Sequence, residues 1–506
     1  MWAAGSSTKS EPKTLDDTPG GRLPLKAIPG SYGIPFFGPI KDRHDYFYKQ
    51  GKDAYFRTRA QKYGSTVFRA NMPPGPFVSR NPKVIVLLDA RSFPVLFDLD
   101  KVEKRDVFTG TYMPSVDLTG GYRVLSYLDP TEPKHAKLKT LIFRLLHVSR
   151  DKIIPEFRRS YRAMFQELEA EIAVGGKAAF ADSNDQAGFN FLARSFFGSD
   201  PIQTKLGRDG PGIIAKWLLF QLSPILSLGL PNLLEEVTIR SFTLPSCLLR
   251  SDYKRLYDDF FWPAFTSSVL CEAAETLGLG REEACHNLLF VTCFNSLGGV
   301  KVFFPALLKW IGLAGATWHR KIADEIRSVV RSNGGEVTIA CLERMPLTKS
   351  TVYETLRIDP PVEFQYGKAK KDLIIESHDA AFEVKKGEML FGYQPFATKD
   401  PVVFARPEEF QPDRFVGEEG ERLLKYVVWS NGAETEEPTA GNKQCPGKDL
   451  VVMIGRLLVV ELFLMFDTFE IEWKPYLLGT AVTLTSLTKA TIQTSSSNAS
   501  AAGLLL

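Results

Sequence analysis

Asn442-Lys443-Gln444-Cys445-Pro446-Gly447-Lys448 is the stretch on which the fold turns. From Lys448 to about Phe466 the residues are predominantly apolar and read as one long helix. Backbone amides at a helix start stabilise negative charge, so Cys445 is placed to be a thiolate. Pro446 and Gly447 hold the loop tight and expose the sulfur. A buried structural cysteine at a loop–helix junction fits the same seven residues, so the companions of Cys445 have to decide. The other cysteines (Cys247, Cys271, Cys285, Cys293, Cys341) are scattered without a CxxC pair and read as small core residues. That spacing argues against a zinc site or a disulfide framework and for a reducing compartment.

Around this loop lies a chain of 506 residues, 44% hydrophobic and 24% charged. Its formal charge of +3 lacks the basic surplus of a nucleic-acid partner. Helical spacing is expected over Lys134–His147, Ile154–Ala173, Arg281–Trp310, Thr317–Ser332 and Thr348–Arg357. The apolar stretch Ala215–Leu234 is broken by Gln221, Ser223, Pro224 and Pro231. A strand pair is expected at Thr66–Asn71 and Phe77–Ser79 across the Met72–Pro76 turn, while Val84–Leu88 is a strand or a helix. Further strands are expected at Leu373–Ile375, Ala381–Val384, Met389–Tyr393, Phe469–Trp473 and Ala481–Leu484. No uninterrupted apolar run reaches the roughly 18 residues of a transmembrane helix. One domain over residues 24–490, mainly α with a minor β portion, is the simplest account. Residues 1–23 read as a disordered segment or targeting remnant without a secretory h-region, and residues 491–506 as a disordered tail.

Upstream of the cysteine, Tyr353-Glu354-Thr355-Leu356-Arg357 puts Glu354 and Arg357 on one helix face. Alone they read as a surface ion pair. Arg406-Pro407, Phe410 and Pro412-Asp413-Arg414-Phe415 then follow in order before Cys445. Together these features resemble the haem-thiolate cytochromes of the cytochrome P-450 superfamily. The resemblance implies haem b with Cys445 as the iron ligand, and Glu354, Arg357 and Arg414 as the structural group that locks the cysteine loop. It also implies that Lys104, His135, Lys139 and Lys443 bind the haem propionates, which need charge-assisted partners when buried. Solvated lysines are the ordinary alternative for Lys104 and Lys139.

The departures from the superfamily are as informative. Phe294-Asn295-Ser296-Leu297-Gly298-Gly299-Val300 lacks the acid–alcohol pair that delivers protons to bound oxygen. Trp429-Ser430-Asn431-Gly432 is separated from Asn442 by the polar insertion Ala433–Gly441, and Lys443 stands where an arginine is usual. These features are similar to the plant allene oxide synthase and hydroperoxide lyase family. The likeness runs from about Pro29 to Ala490, through Ile28–Gly33 (IPGSYG), Phe68–Pro74 (FRANMPP), Phe108–Tyr112 (FTGTY), Ser126–Asp129 (SYLD) and Phe391–Lys399 (FGYQPFATK).

The resemblance implies dehydration of polyunsaturated fatty acid hydroperoxides, such as 13-hydroperoxylinolenate or 13-hydroperoxylinoleate, to allene oxides for oxylipin and jasmonate biosynthesis. The hydroperoxide brings its own oxygen, so neither O2 nor a reductase is required. Asn295 is expected to hold the hydroperoxide, since its amide both donates and accepts. Phe108 and Ser126 are expected at the reacting carbons and beside the haem; synthases share Phe108 and Ser296, where lyases tend to differ. Glu363 is out of pattern: a carboxylate at a substrate-binding position that either accepts a hydrogen bond, repels substrate or points to solvent. Alternatives are a hydroperoxide lyase, a divinyl ether synthase, or a non-catalytic haem protein that binds lipid. Trp217–Leu234 is expected as a cavity lid with peripheral membrane contact. The family implies a plastid location; without a transit peptide the location would be cytoplasmic.

Overall fold

The computed structural model describes residues 23–491, apart from 76, 80, 109, 111 and 478. The two expected tails, 1–23 and 491–506, lie outside the described residues except for Leu23 and Thr491.

Helices dominate. Arg281–Ala314 runs through the centre as an α-helix, a π-helical segment Val291–Leu297, and a second α-helix from Gly298. By length and composition this helix could cross a membrane, yet 61% of its most apolar window is buried inside the protein. Phe303, Phe304, Leu307, Leu308 and Ile311 are all buried in the main core, so the run is apolar because protein surrounds it. The helices expected at Lys134–His147 and Ile154–Ala173 are one helix, Pro133–Gly175. The spacing continues across the gap: Ser149 and Ile153 are buried, and Ser149 Oγ donates to Leu145 O at 2.7 Å. Pro346–Ile358 and Lys448–Met465 pack against the same core, joined by Ala316–Ser332.

A five-stranded sheet flanks the helices, in the order Val67–Asn71, Lys83–Leu87, Met389–Tyr393, Phe364–Ala369, Val102–Glu103. Only the Lys83–Leu87 and Met389–Tyr393 pair is parallel. Val84–Leu87 and Met389–Tyr393 are buried on both faces, which is why their sequences do not alternate. The expected strand at Phe77–Ser79 is corrected. Val67–Asn71 pairs instead with Lys83–Leu87, from Val67↔Leu87 to Asn71↔Lys83. Val78 and Ser79 turn back onto Gly75 O, and Phe77 stacks on Phe242 with ring centroids 5.4 Å apart. A hairpin of Phe466–Tyr476 and Gly479–Lys489 closes the far side. The broken apolar stretch resolves into helix Gly210–Leu222, a turn at Ser223–Ile225, and helix Asn232–Val237.

Candidate active site

The cysteine loop is fastened before it reaches the helix. Cys445 N–H donates to Ser430 O at 3.1 Å, and Gln444 Nε2 donates to Ala433 O at 2.7 Å. Both acceptors belong to the small hairpin Val428–Trp429/Gly432–Ala433 or its turn. A Cβ on Gly432 would lie 2.6 Å from Gln444 Cδ, so glycine is required where the hairpin meets the loop. The polar insertion carries buried Glu434, which accepts from Tyr353 Oη at 2.7 Å, from Trp429 Nε1 and from Lys448 Nζ at 3.5 Å. Burial pushes the Cys445 thiol up, while a Gly447 N–H and Lys139 pull it down.

Behind the loop, Glu354 and Arg357 are fully buried, not a surface pair. Arg357 Nε and Nη2 donate to Glu354 at 2.7 and 2.8 Å, and Arg414 Nε donates to both Glu354 oxygens at 3.0 Å. The remaining guanidinium hydrogens go to carbonyls of Thr398, Pro407, Ala405, Arg406 and Glu409. Such a group is held only because every charge is hydrogen-bonded.

Cys445 borders a cavity of about 1490 Å³. Lys104, His135, Lys139 and Lys443 border it too. Their side-chain nitrogens bond only to oxygens of neutral groups: Tyr366 O, Ala440 O, Asn442 O and Oδ1, and the carbonyls of Leu125, Ser126 and Leu128. No carboxylate pairs with them among the described residues. Burial brings Lys104 and Lys443 down to about 7, Lys139 to about 8, and His135 to about 4. The same cations repel one another, Lys443 lowering both Lys104 and His135. A ligand with two carboxylates is the chemistry that would reverse these shifts.

On the opposite wall, the π-helical segment presents Asn295 to the cavity, in keeping with the tendency of such bulges to sit at functional sites. Asn295 Nδ2 lies 3.4 Å from Ser126 Oγ. Phe108 borders the same space, edge-on to Phe294 with centroids 6.2 Å apart. Asn287, buried and unremarked in the sequence, accepts Leu125 N–H at 2.9 Å and so fixes the Ser126 turn to the central helix. Nothing but an in-helix Asn at that spacing could have marked it. Thr292 does not serve the cavity: its hydroxyl donates back to Leu288 O at 2.8 Å. Glu363 borders the cavity but is paired with Lys52, a residue that belongs to no motif. Of the remaining cysteines, four are buried as expected, but Cys247 is exposed.

Residues 317–475 match the cytochrome P450 family model. The fold is shared with the retinoic acid bound cyanobacterial CYP120A1, at TM-score 0.62 and 16% identity over 92% of this chain and 99% of that one. Allene oxide synthase 1, chloroplastic, of Solanum lycopersicum is 61% identical over 96% of this chain and 91% of its own length. Allene oxide synthase, chloroplastic, of Arabidopsis thaliana is 60% identical over 92% of this chain and 90% of its own. The chain belongs to the allene oxide synthase family of the cytochrome P450 superfamily. As a member of the allene oxide synthase family it is an enzyme with a haem-thiolate cofactor, and the mainly α fold with a minor β portion agrees with that assignment.

Proposed function

We propose that this enzyme dehydrates polyunsaturated fatty acid hydroperoxides, the 13-hydroperoxides of linolenate and linoleate foremost, to allene oxides. The observation that carries the reading is the distal wall: Asn295 beside Ser126 and Phe108, on a segment Val291–Leu297 that carries no acid and whose Thr292 hydroxyl is spent on Leu288 O. Haem b fits the site through Cys445 at the iron and Lys104, His135, Lys139 and Lys443 at the propionates, because those cations are buried without carboxylate partners. Bound haem supplies the one-electron chemistry of O–O cleavage. Asn295 binds the hydroperoxide oxygens with its amide, and Ser126 orients that amide. Phe108 and Phe294 keep water from the reacting carbons. The balance is internal: the hydroperoxide loses its terminal oxygen as water, the retained oxygen closes the epoxide, and one C–H proton leaves. No external electrons enter, so no reductase is needed.

Mixing the purified holoenzyme with linolenate 13-hydroperoxide, without reductase or NADPH, tests this. Loss of conjugated-diene absorbance with α-ketols and cyclopentenone as products is expected. Aldehydes would make the enzyme a lyase, and no consumption would make it a haem protein that only binds lipid.

The chloroplastic relatives support a plastid location, and the exposed apolar surface supports peripheral membrane contact. Phe36, Phe37, Leu233, Val237, Phe77 and Phe242 are exposed, and the Arg43–Glu236 ion pair at 3.0 Å ties the first two segments together. Trp217 and Leu218 are buried and Leu218–Leu219 border the cavity, so the lid is apolar inward at its start and outward at Leu230–Leu234. Leu233→Asp is expected to lower co-sedimentation with vesicles several-fold while leaving detergent-dispersed turnover unchanged.

A further inference from the structure

The four propionate cations aside, the charged side chains bordering the cavity form two ion pairs, Lys309–Asp359 and Lys52–Glu363. They differ in access. Lys309 is 7% exposed and sits between the Trp310 and Trp473 rings, 4.6 and 5.2 Å from their centroids. Asp359, 31% exposed, also accepts from Trp310 Nε1 at 3.2 Å, so the difference lies in the lysines: Lys309 is closed in and Lys52 is not. Lys52 is 44% exposed and Glu363 32%. Water reaches this second pair, and its partners can exchange.

The backbones beneath it are rigid. Lys52 opens the helix Lys52–Tyr63, and its neighbour Asp53 accepts from Tyr393 Oη. Glu363 immediately precedes the strand Phe364–Ala369, and its carbonyl accepts Gln394 N–H at 2.8 Å. Two charged side chains, both reached by water, therefore stand on fixed supports beside the cavity. The negative charge reaches inward: buried Tyr46 and Tyr393 are raised first by burial and next by Glu363. Among the described residues Lys52 is the one exposed cation bordering the cavity, and Glu363 occupies it.

We propose that the Lys52–Glu363 pair is a head-group filter, in which Glu363 withholds Lys52 from a fatty acyl carboxylate so that free acids and neutral acyl esters are accepted alike. This rests on the reading of the cavity as an acyl hydroperoxide site. A carboxylate that arrives at Lys52 meets Glu363 as a like charge and must displace it. An ester head meets a pair with no net charge and displaces nothing. Glu363 thus cancels the preference for a charged head that an unpaired Lys52 would give, and acts on the head of the substrate, not on its hydroperoxide.

The test is titration of the holoenzyme with the unreactive alcohol, 13-hydroxylinolenate, and with its methyl ester, for the parent, E363Q, K52M and the double variant. E363Q frees Lys52, and the acid is expected to bind roughly 5- to 10-fold tighter relative to the ester. K52M leaves Glu363 unpaired and shifts the ratio the other way by about the same factor. The double variant returns it to within about 2-fold of the parent. KM ratios for the matching hydroperoxides move in parallel with the binding ratios. Ester binding retained by each variant shows that the fold is intact. An acid-to-ester ratio that is the same in all four proteins overturns the filter. A parent that binds neither ligand overturns the acyl-site reading, and the filter with it.

Discussion

The wall that carries Cys445 and the wall that carries Asn295 hold their polar groups in opposite ways. Behind the cysteine loop, Glu354 is saturated by Arg357, Arg414 and Gln411 N–H, and the two guanidinium groups spend their other donors on five backbone carbonyls. On the opposite wall Asn295 makes a single 3.4 Å contact with Ser126, inside a π-helical turn. One wall is a closed network whose geometry cannot drift. The other keeps an amide under-used and faces open space. Saturated polar groups specify structure, whereas a polar group left with spare capacity beside a cavity is available for a ligand.

Breaking the saturated side is expected to have the largest effect. Glu354→Ala leaves two buried guanidinium groups without their counter-charge, which costs about 3–5 kcal/mol. Little haem-loaded protein should accumulate, and thermal unfolding with absorbance of the haem band will show it. If E354A is as stable and as fully loaded as the parent, the contrast between the walls is wrong.

Asn295→Ala sharpens the same contrast from the other side. Stability and haem content should stay at the parental level, while kcat/KM for the hydroperoxide falls by about 10²-fold, the scale of losing one well-placed hydrogen-bonding group at the reacting atoms. A matching loss of thermal stability would mean that Asn295 is structural.

The smallest expected effect lies away from both walls. His378 Nε2 and Asp400 Oδ2 are 2.6 Å apart, with Asp400 also holding Ala90 N–H. The side-chain hydrogen bond to Asp400 raises His378 above its ordinary 6.5. Asp400 is lowered from its ordinary 3.8 by His378 and backbone N–H groups, against the opposing effect of burial. The His378 contribution is therefore complete below pH 6.5 and lost as pH rises through its raised value; that of Asp400 is complete above pH 3.8 and lost as pH falls through its lowered value. His378→Ala should lower Tm most near pH 5–6 and least in mildly alkaline buffer. A Tm difference that grows with pH would contradict the pairing.

Much of the architecture is legible in the residues. Helices at Pro346–Ile358 and Lys448–Met465 and strands at Leu373–Glu376 and Ala381–Val384 follow from apolar spacing. Glu354, Arg357 and Arg414 are legible as a set only through their order before Cys445; helical spacing alone describes a surface pair. The rest depends on contacts between distant segments. Phe77–Ser79 fails as a strand because the ladder of Val67–Asn71 is taken by Lys83–Leu87. The π-helical turn at Val291–Leu297 has no period of its own in so short a run. Glu363 is out of pattern beside the family's small, hydroxyl or proline residues, and its partner Lys52, 311 residues away in a segment without a motif, is not legible from it.

The most direct measurement follows the oxygen. Hydroperoxide labelled with 18O at both atoms is given to the holoenzyme under argon, in unlabelled water and without reductant, and the α-ketol is analysed by mass spectrometry. Consumption with one 18O kept in the ketone, and the hydroxyl unlabelled, is the expected result, because one oxygen closes the epoxide and the other leaves as water. Aldehyde products, loss of both labels, or turnover only with O2 and an electron donor would contradict an allene oxide synthase supplied with oxygen by its own substrate.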